Sequence, residues 1–374
     1  MGKSKLQFAI RVALVLAGAL LAYSRPVMAE ERSPRASAPG GVAVVIVNKS
    51  DKPLNLKVLE NPFISGAALQ IRWADIEPVE GKTDWSRLDA LFTAAESSKK
   101  WVQLDIFPGF FSPAWALEGA RTDQFEIPYG PEHGTVRKLP MPWDHVYLDR
   151  WFAFLKQLSE RYGKSPAFRM IAAGGPTSVS EEMTLPSDSP PAKKKWLSDG
   201  YTPAKYLGAW EEAFHVYADS FPNQYVSLAA PGLPILEQGK SGLPARMRAK
   251  QDIVKRAVKV FGSRLVIQSN DLHAGQAQVE AFDGTDFVKS YTGRIITGFE
   301  MRGGSHGLIP SKVMGAEGDP PLALRRSIDK GMAPNDAGRH VDFLEIYEGD
   351  VRADDMQPVL EYAASLFAPK RDAK

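Results

Sequence analysis

Two strand-like runs of this chain are followed by acidic residues that suit a catalytic pair. Glu300 closes the run Arg294–Phe299, and Glu182, with Glu181 directly before it, follows the run Phe168–Ala173 after a short turn. Cleavage of a glycosidic bond uses two carboxyl groups, one that protonates the leaving oxygen and one that attacks or stabilises the cationic carbon. Glu300 and Glu182 are therefore candidate catalytic residues.

Each of these assignments has a simpler alternative. Glu300 can instead form a structural salt bridge with Arg294 or Arg302, and Glu182 can be a solvated loop acid beside Glu181. Two adjacent acids point in different directions, so we expect only one of the pair to face a substrate. Glu182 is favoured because apolar residues follow it in the sequence.

Polar and aromatic residues at other strand ends are candidates for holding a sugar. Asp105, Asn270 and Glu345 are placed to hydrogen-bond sugar hydroxyls. Aromatic faces provide flat, amphipathic platforms for sugar rings. Trp73 and Trp115 suit that role, but either residue can equally be a plain filler of the hydrophobic core.

The elements that must position these residues are eight strand-like runs that alternate with helical segments. The runs are centred near residues 44, 68, 104, 170, 227, 266, 297 and 344. Strands that alternate with helices predict a parallel sheet, and eight of them predict a closed (β/α)8 barrel over residues 42–374. Reactive groups in such barrels lie at the carboxyl ends of the strands. The fold therefore predicts that the candidate residues lie together at the carboxyl-terminal end of the barrel.

Composition excludes several other kinds of protein. The 374 residues contain no cysteine, which excludes disulfides, thiolate metal sites and thiol nucleophiles. The formal net charge is only +2, with 46 basic and 44 acidic residues, so no basic field for nucleic acid is expected. The six histidines form no metal-binding pair of the H-x-H or H-E-x-x-H type. We therefore expect a carbohydrate partner and no cofactor or metal.

The first 29 residues have the pattern of a secretory signal peptide. Lys3 and Lys5 precede an apolar run from Phe8 to Tyr23, and Ala29 ends a small-residue cleavage pattern. We expect the mature chain to begin at Glu30, with a flexible leader over residues 30–41. No later stretch is long and apolar enough to span a bilayer. The chain is therefore predicted to be exported, to a bacterial periplasm or the medium.

Two segments resemble a known family. The first runs from Gly66 to Trp115 and begins GAALQIRWADIEPVEGKTDW; the second, within Trp151–Pro186, includes RYGKSPAFRMIAAGGPTSVSEEMTLP. Both resemble clan A glycoside hydrolase barrels, especially the beta-galactosidase-like group of family 42. That resemblance implies a retaining hydrolase of a β-linked, galactoside-like sugar. It also implies Glu300 as the nucleophile and Glu182 as the acid/base residue.

A retaining mechanism implies that the two catalytic carboxyl groups lie about 5–5.5 Å apart. The chain departs from the family pattern because no Asn-Glu pair ends its fourth strand. This departure favours an alternative, a barrel that binds saccharide without cleaving it. A less favoured alternative is a serine hydrolase using Ser305, since Gly303–Gly307 fits the G-x-S-x-G pattern. Pro310 follows too closely for the helix such a site needs, so a glycine-rich loop is the preferred interpretation.

Overall fold

The computed structural model describes residues 37–128, 130, 132–180, 182–183, 185–186, 189–229, 243–275, 284–306, 316 and 318–368. Ten strands occur within these ranges: β1 (Gly41–Val47), β2 (Gly66–Arg72), β3 (Trp101–Phe107), β4 (Thr122–Glu126), β5 (Val136–Pro140), β6 (Phe168–Ala172), β7 (Tyr225–Ala229), β8 (Leu265–Leu272), β9 (Ile296–Met301) and β10 (Phe343–Tyr347). Eight of them close a barrel, and β4 and β5 form a separate antiparallel hairpin.

The barrel strands follow one another in chain order. The closed sheet runs β1-β2-β3-β6-β7-β8-β9-β10 and returns to β1, and every neighbouring pair is parallel. The predicted (β/α)8 barrel is therefore confirmed, with an observed strand at each of the eight predicted positions. Its first strand begins at Gly41, one residue before the predicted start.

Helices on the outside of the barrel connect the strands. Within the described ranges they are α1 (Trp73–Ile76), α2 (Ser86–Ser97), α3 (His145–Tyr162), α4 (Pro190–Ser198), α5 (Pro203–Ser220), α6 (Leu243–Phe261), α7 (Gly284–Lys289), α8 (Pro320–Met332), α9 (Glu348–Arg352) and α10 (Gln357–Ser365). In α3 the apolar residues recur every three or four positions and are buried, whereas the opposite face is polar. That spacing places one stripe of the helix against the strands.

Capping residues fix where several helices begin. The side chain of Asp144 accepts a hydrogen bond from Tyr147 N at the start of α3, and Thr202 accepts one from Lys205 N at the start of α5. Such bonds satisfy backbone N–H groups that have no partner within the helix. Ser189 caps α4 in the same way. The composition of Ser187–Pro191 is typical of a loop, but α4 begins within this segment, at Pro190. Ser187 and Asp188 lie outside the described residues.

The hairpin of β4 and β5 was not predicted from the sequence. Of its ten strand residues only Phe125, Leu139 and Pro140 are buried, so neither strand shows the alternation that identifies a half-buried strand. Tertiary contacts hold it instead. The ring of Phe125 stacks on Trp196 of α4 with centroids 4.4 Å apart. The ammonium of Lys195 lies 2.6 Å from a carboxylate oxygen of Asp123.

The inward-facing residues form a hydrophobic floor at the amino-terminal end of the barrel. This floor consists of Ala43, Trp101, Met170, Tyr225, Val266 and Phe343. The rings of Trp101 and Phe343 meet edge to face, 6.1 Å apart. Gly66 and Gly298 make room for them, because a Cβ on either glycine would lie 2.2 Å from a ring carbon of Trp101 or Phe343, respectively.

No helix in the described part of the chain is long and apolar enough to cross a membrane. The predicted signal peptide, residues 1–29, and the first part of the leader lie outside the described residues. The cleavage site at Glu30 therefore stays a prediction.

Candidate active site

Glu300 lies near the carboxyl end of β9 and points into the barrel. Its side chain is 2% exposed. The hydroxyl of Tyr347, from β10, donates to Oε1 at 2.5 Å. Nε2 of Gln70, from β2, lies 3.1 Å from both carboxylate oxygens. Tyr347 reaches Glu300 from the neighbouring strand, whereas β2, which carries Gln70, lies three strands away from β9 around the barrel. The Glu300 carboxylate is therefore held from two sides of the barrel interior.

Two further buried carboxylates are paired with amides in the same way. Nε2 of Gln103 donates to Oδ1 of Asp105 at 2.7 Å, and Nε2 of Gln268 donates to Oε2 of Glu345 at 2.6 Å. Asp105 and Glu345 have no exposed surface. Together with Gln70 and Glu300, they make three amide–carboxylate pairs inside the barrel. We call these six residues the polar interior.

Strand register explains how the polar interior is assembled. Glu345 is the register partner of Glu300 on neighbouring strands, and Gln70 is the partner of Asp105. Gln268 reaches Glu345 by passing β9, where its own register partner is Gly298. A glycine has no side chain to obstruct that reach. The same glycine therefore serves both the floor and the polar interior.

The donors around Glu300 suit it to nucleophilic attack. Hydrogen bonds to a carboxylate favour its ionised form. A phenol and an amide are neutral donors, so they orient the carboxylate without forming a competing ion pair. The two arginines that were candidates for a salt bridge with Glu300 have other partners. Arg302 pairs with Asp271 at 3.2 Å, and Arg294 donates to the carbonyl of Ser290. The arrangement can deliver a fixed, oriented carboxylate to a carbon atom at the mouth of the barrel.

Glu182 lies in the loop that follows β6. It is half-buried, its backbone N–H donates to Oγ of Ser180 at 3.2 Å, and its neighbours Met183 and Leu185 are buried. The expected apolar anchor for this loop is therefore present. Glu181 lies outside the described residues. The approach of Glu182 to Glu300 within the retaining distance stays a prediction.

The loop after β6 is anchored against the loop after β3. Phe110 N donates to the carbonyl of Ser178 at 2.9 Å, and a Cβ on Gly109 would lie 2.4 Å from that carbonyl oxygen. Gly109 has a φ of +65°, a conformation that glycine adopts readily. The hydroxyl of Tyr147 accepts from Gly109 N at 2.9 Å. Burial raises the pKa of Tyr147 to about 12, so the phenol stays protonated well above neutral pH.

The two candidate sugar platforms have different environments. Trp73 has no exposed surface and lies in an aromatic cluster with Trp115, Tyr147, Trp151 and Phe154. Two roles were considered for Trp73, sugar platform and core residue. Its surroundings favour the role of a core residue. Trp115 is half-buried, and its indole N–H donates to the carbonyl of Glu77 at 3.0 Å. Its role as a sugar platform therefore stays a prediction.

Asn270 is placed by an irregularity in β8. The register between β8 and β9 shifts between Ser269 and Leu272, where β8 holds one extra residue. A bulge of this kind re-aims side chains next to functional sites. Asn270 is half-buried there, beside Asp271. Its position at the carboxyl end of a barrel strand agrees with the predicted sugar contact, which remains a proposal.

Ser305 lies in the loop after β9, as the glycine-rich-loop interpretation predicts. Its Oγ is buried and has no hydrogen-bond partner, and its backbone N–H donates to Asp350 at 2.7 Å. The ring nitrogens of His306 lie 3.3 Å from Asp350 and 3.1 Å from Asp355. A serine nucleophile requires a base bonded to its hydroxyl. Neither ring nitrogen takes that role here.

Neutral amides are the part of the site that was missed at the sequence level. Gln70, Gln103 and Gln268 were not among the candidates, and Tyr347 stood at a strand end without an assigned role. A usable signal exists: Gln103 lies two residues from Trp101 and two from Asp105, so all three share the inward face of β3. A polar residue on the inward face of an otherwise apolar barrel strand marks such a site.

Among the described residues, no group of three or more histidine or acidic side chains is arranged to hold a metal ion. The polar interior of the barrel offers carboxylates that are bonded to amides, rather than a shell of ligands around one point. The chemistry of these residues is that of proton transfer and attack by a carboxylate.

No protein-family model and no curated protein matches the sequence. Solved structures do resemble the fold. A polyextremophilic β-galactosidase from the Antarctic haloarchaeon Halorubrum lacusprofundi superposes with a TM-score of 0.53 at 13% identity over 89% of this chain. The chain spans 59% of that protein's length. The likeness shows a shared barrel fold.

Two xylanases superpose with lower scores. A psychrophilic glycoside hydrolase family 10 endo-β-1,4-xylanase gives a TM-score of 0.46 at 10% identity, over 82% of this chain and 86% of its own. Xylanase B from Clostridium stercorarium F9 gives a TM-score of 0.45 at 10% identity, over 82% of this chain and 85% of its own.

Proposed function

We propose that this protein is an exported glycoside hydrolase that cleaves a β-linked, galactoside-like sugar with retention of configuration. Glu300 is the nucleophile and Glu182 the acid/base residue. The observation that carries the proposal is the setting of Glu300, a buried carboxylate near a strand end, held across the barrel by Tyr347 and Gln70. The β-galactosidase that shares this barrel fold supports the choice of substrate class.

The reaction proceeds in two displacements. First, a carboxylate oxygen of Glu300 bonds to the anomeric carbon while the bond from that carbon to the leaving oxygen breaks. Glu182 gives its proton to the leaving oxygen. In the second displacement Glu182 takes a proton from water, the water oxygen bonds to the anomeric carbon, and the bond to Glu300 breaks. Each carboxyl group ends in its starting state, and no cofactor takes part.

The remaining residues position the sugar and the nucleophile. Tyr347 and Gln70 hold the Glu300 carboxylate in one orientation, so less motion is required before attack. Asp105, Asn270 and Glu345 are proposed to hydrogen-bond the sugar hydroxyls, and the half-buried face of Trp115 to contact the ring. Trp73 is left out of this set because its ring packs among the rings of Trp115, Tyr147, Trp151 and Phe154.

The test is hydrolysis of a panel of aryl β-glycosides, with β-galactoside first. The wild-type chain should release the phenol, and proton NMR of the first sugar product should show the β anomer. Glu300→Gln should abolish release. Glu182→Gln should slow glycosides with poor leaving groups far more than those with good ones, because a good leaving group needs no proton. Absence of turnover across the panel would overturn the proposal.

A saccharide-binding barrel is the second candidate, favoured by the missing Asn-Glu pair after β6. It predicts saccharide affinity without turnover, which calorimetry alongside the same panel detects. The serine-hydrolase alternative predicts activity that survives Glu300→Gln and disappears in Ser305→Ala. Release that behaves in that way would replace the carboxylate mechanism.

Export is the remaining part of the proposal. Cleavage after Ala29 removes four basic residues and no acid, which changes the formal charge from +2 to −2. Mass spectrometry of the exported form should find an amino terminus at Glu30. A form that retains Met1 would contradict it.

A further inference from the structure

The proposed acid/base residue lies far from the end of its strand. β6 ends at Ala172 and α4 begins at Pro190, so the loop between them covers residues 173–189. We call this segment the Glu182 loop. Glu182 follows Ala172 by ten positions. Glu300 is held within a strand of the sheet, whereas the orientation of Glu182 depends on the contacts that hold its loop.

The first half of the Glu182 loop is hydrogen-bonded to neighbouring elements. Gly174 N donates to the hydroxyl of Tyr217 on α5 at 2.9 Å. Phe110 N, in the loop after β3, donates to the carbonyl of Ser178 at 2.9 Å. Ser178 has no exposed surface. The chain is therefore fixed up to a point four positions before Glu182.

The second half of the Glu182 loop is held by α4. The indole N–H of Trp196 donates to the carbonyl of Pro186 at 2.8 Å. Trp196 has no exposed surface, so this hydrogen bond lies in an environment of low dielectric constant, where it is stronger than in water. Pro186 lies four positions after Glu182, as Ser178 lies four positions before it. Glu182 is therefore midway between two points at which its loop is bonded to other parts of the fold.

The hairpin of β4 and β5 packs against Trp196. The ring of Phe125 stacks on the indole with centroids 4.4 Å apart and an angle of 18° between the planes. The ion pair between Lys195 and Asp123 joins the same two elements, and the Lys195 ammonium lies 5.5 Å from the centre of the Phe125 ring. The hairpin contributes no strand to the barrel. Its contacts instead support the tryptophan that holds the Glu182 loop.

We propose that Trp196, supported by the hairpin, positions Glu182 for proton transfer to the leaving oxygen. Trp196 is a positioning residue, because it acts on Glu182 through the bond to Pro186 and not on the substrate. A shift of about 1 Å in the reacting groups can lower a rate about 100-fold, so a loop that carries a proton donor benefits from a fixed second end. The inference rests on the proposed function, in which Glu182 is the acid/base residue.

The first test is Trp196→Phe in the full mature chain, which removes the N–H donor and keeps an aromatic ring beside Phe125. The substrates are the 4-methoxyphenyl and 2,4-dinitrophenyl glycosides of the sugar that turns over, with β-galactose first. For the methoxyphenyl glycoside, a poor leaving group, kcat/KM should fall at least about tenfold. For the dinitrophenyl glycoside it should change less than about twofold, because that leaving group needs no proton. An equal loss on both glycosides would overturn the inference.

The matched control is Trp101→Phe in the floor. The indole N–H of Trp101 also donates to a backbone carbonyl, that of Gly40 at 3.0 Å, and the side chain is 2% exposed. Both variants therefore lose the same kind of buried hydrogen bond, and both should unfold at a lower urea concentration than the wild-type chain. Only Trp196→Phe should change the ratio of the two kcat/KM values. A ratio that changes equally in Trp101→Phe would contradict the assignment.

A double variant shows whether the effect passes through Glu182. In the Glu182→Gln background the carboxyl group that donates the proton is absent, so adding Trp196→Phe should lower kcat/KM for the methoxyphenyl glycoside less than about twofold. A further loss as large as the one in the wild-type background would show that Trp196 acts by another route, and would overturn the inference.

Amide hydrogen exchange separates the inference from the proposed function. Peptides from residues 173–189 should exchange faster in Trp196→Phe and at the wild-type rate in Trp101→Phe, because only the first variant releases the Glu182 loop. Cleavage by Trp196→Phe with an unchanged ratio of the two glycosides would overturn the inference and leave the proposed function standing. Absence of cleavage by the wild-type chain, with faster loop exchange in Trp196→Phe, would overturn the proposed function and support the structural contact alone.

Discussion

At the amino-terminal end of the barrel, the inward faces of β3 and β10 carry Trp101 and Phe343, whose rings close the floor. Toward the carboxyl end, the same faces of the same strands carry Asp105 and Glu345, which are bonded to glutamines. The two regions are therefore built on identical backbone geometry. Only the residue types differ. The change from an aromatic to an acidic residue takes four positions on β3 and two positions on β10.

This contrast shows how the barrel separates stability from chemistry. Strand alternation decides which residues face inward, and the position along the strand decides what they do there. The floor is close-packed, with Gly66 and Gly298 leaving the space that the two rings fill. The polar interior above it contains buried carboxylates that are bonded to amides. Substitutions in the polar interior should therefore change kcat/KM, whereas substitutions in the floor should change the free energy of unfolding.

The largest expected effect belongs to Glu300 in the polar interior. Glu300→Gln keeps the shape of the side chain and removes the proposed nucleophile, so kcat/KM should fall by at least about 10³-fold. The midpoint of urea unfolding should change little. A variant that unfolds earlier but keeps its activity when folded would place Glu300 with the structural residues.

The largest expected effect in the floor belongs to Gly298. Gly298→Ala places a Cβ 2.2 Å from Cζ of Phe343. Overpacking of this kind destabilises a protein by about 1–3 kcal/mol, which urea unfolding should show. Phe343→Leu in the same chain should restore part of the loss. The control is Gly208→Ala on α5, where a new Cβ has no neighbour within 4 Å and the helix should gain stability. Equal effects at the two glycines would refute the close-packed floor.

A smaller effect on activity is expected from Tyr347→Phe. This change removes the 2.5 Å hydrogen bond to Glu300 and keeps the ring. We expect kcat/KM to fall about 10–100-fold, with unfolding altered by no more than about 1 kcal/mol. An unchanged kcat/KM would show that Tyr347 only fills space.

The smallest expected effect lies outside the barrel, at the ion pair between Asp89 and Arg161. Two guanidinium nitrogens lie 3.1 and 2.7 Å from the Asp89 oxygens, and hydrogen bonds from Arg161 lower the pKa of Asp89 below its usual value of 3.8. The pair therefore stabilises the folded state above that value, and the stabilisation is lost as pH falls through the lowered pKa. Asp89→Asn should destabilise by about 0.5–1 kcal/mol at pH 7, as exposed pairs do, and by less in acid. An effect that is independent of pH would exclude the ion pair as its source.

The fold was predictable because its signal is repeated along the chain. Each barrel strand is a short apolar run, and helices such as α3 carry one apolar stripe, so alternation alone predicts the barrel. The hairpin of β4 and β5 was not predictable in this way, since its strands depend on contacts with α4 rather than on their own pattern.

The site was predictable only in part. Charged residues at strand ends are conspicuous in a sequence, and this made Glu300, Asp105 and Glu345 candidates. Their partners are neutral, and Gln70 reaches Glu300 from a strand 230 positions earlier in the chain. No local spacing encodes a contact across a barrel. For Trp73 the sequence left two roles open, sugar platform and core residue, because burial is a tertiary property that the sequence around it does not reveal.

The most direct test of the central claim is to trap the sugar on Glu300, the proposed nucleophile. A 5-fluoro glycosyl fluoride of the sugar that turns over should accumulate as a covalent enzyme intermediate, and trypsin should release residues 295–302 as one peptide. That peptide, IITGFEMR, contains a single acid, Glu300. The account predicts that mass spectrometry finds the fluorosugar on this peptide in the wild-type chain and no label in Glu300→Gln. A label on any other peptide, or turnover with no covalent intermediate and an inverted product, would contradict it.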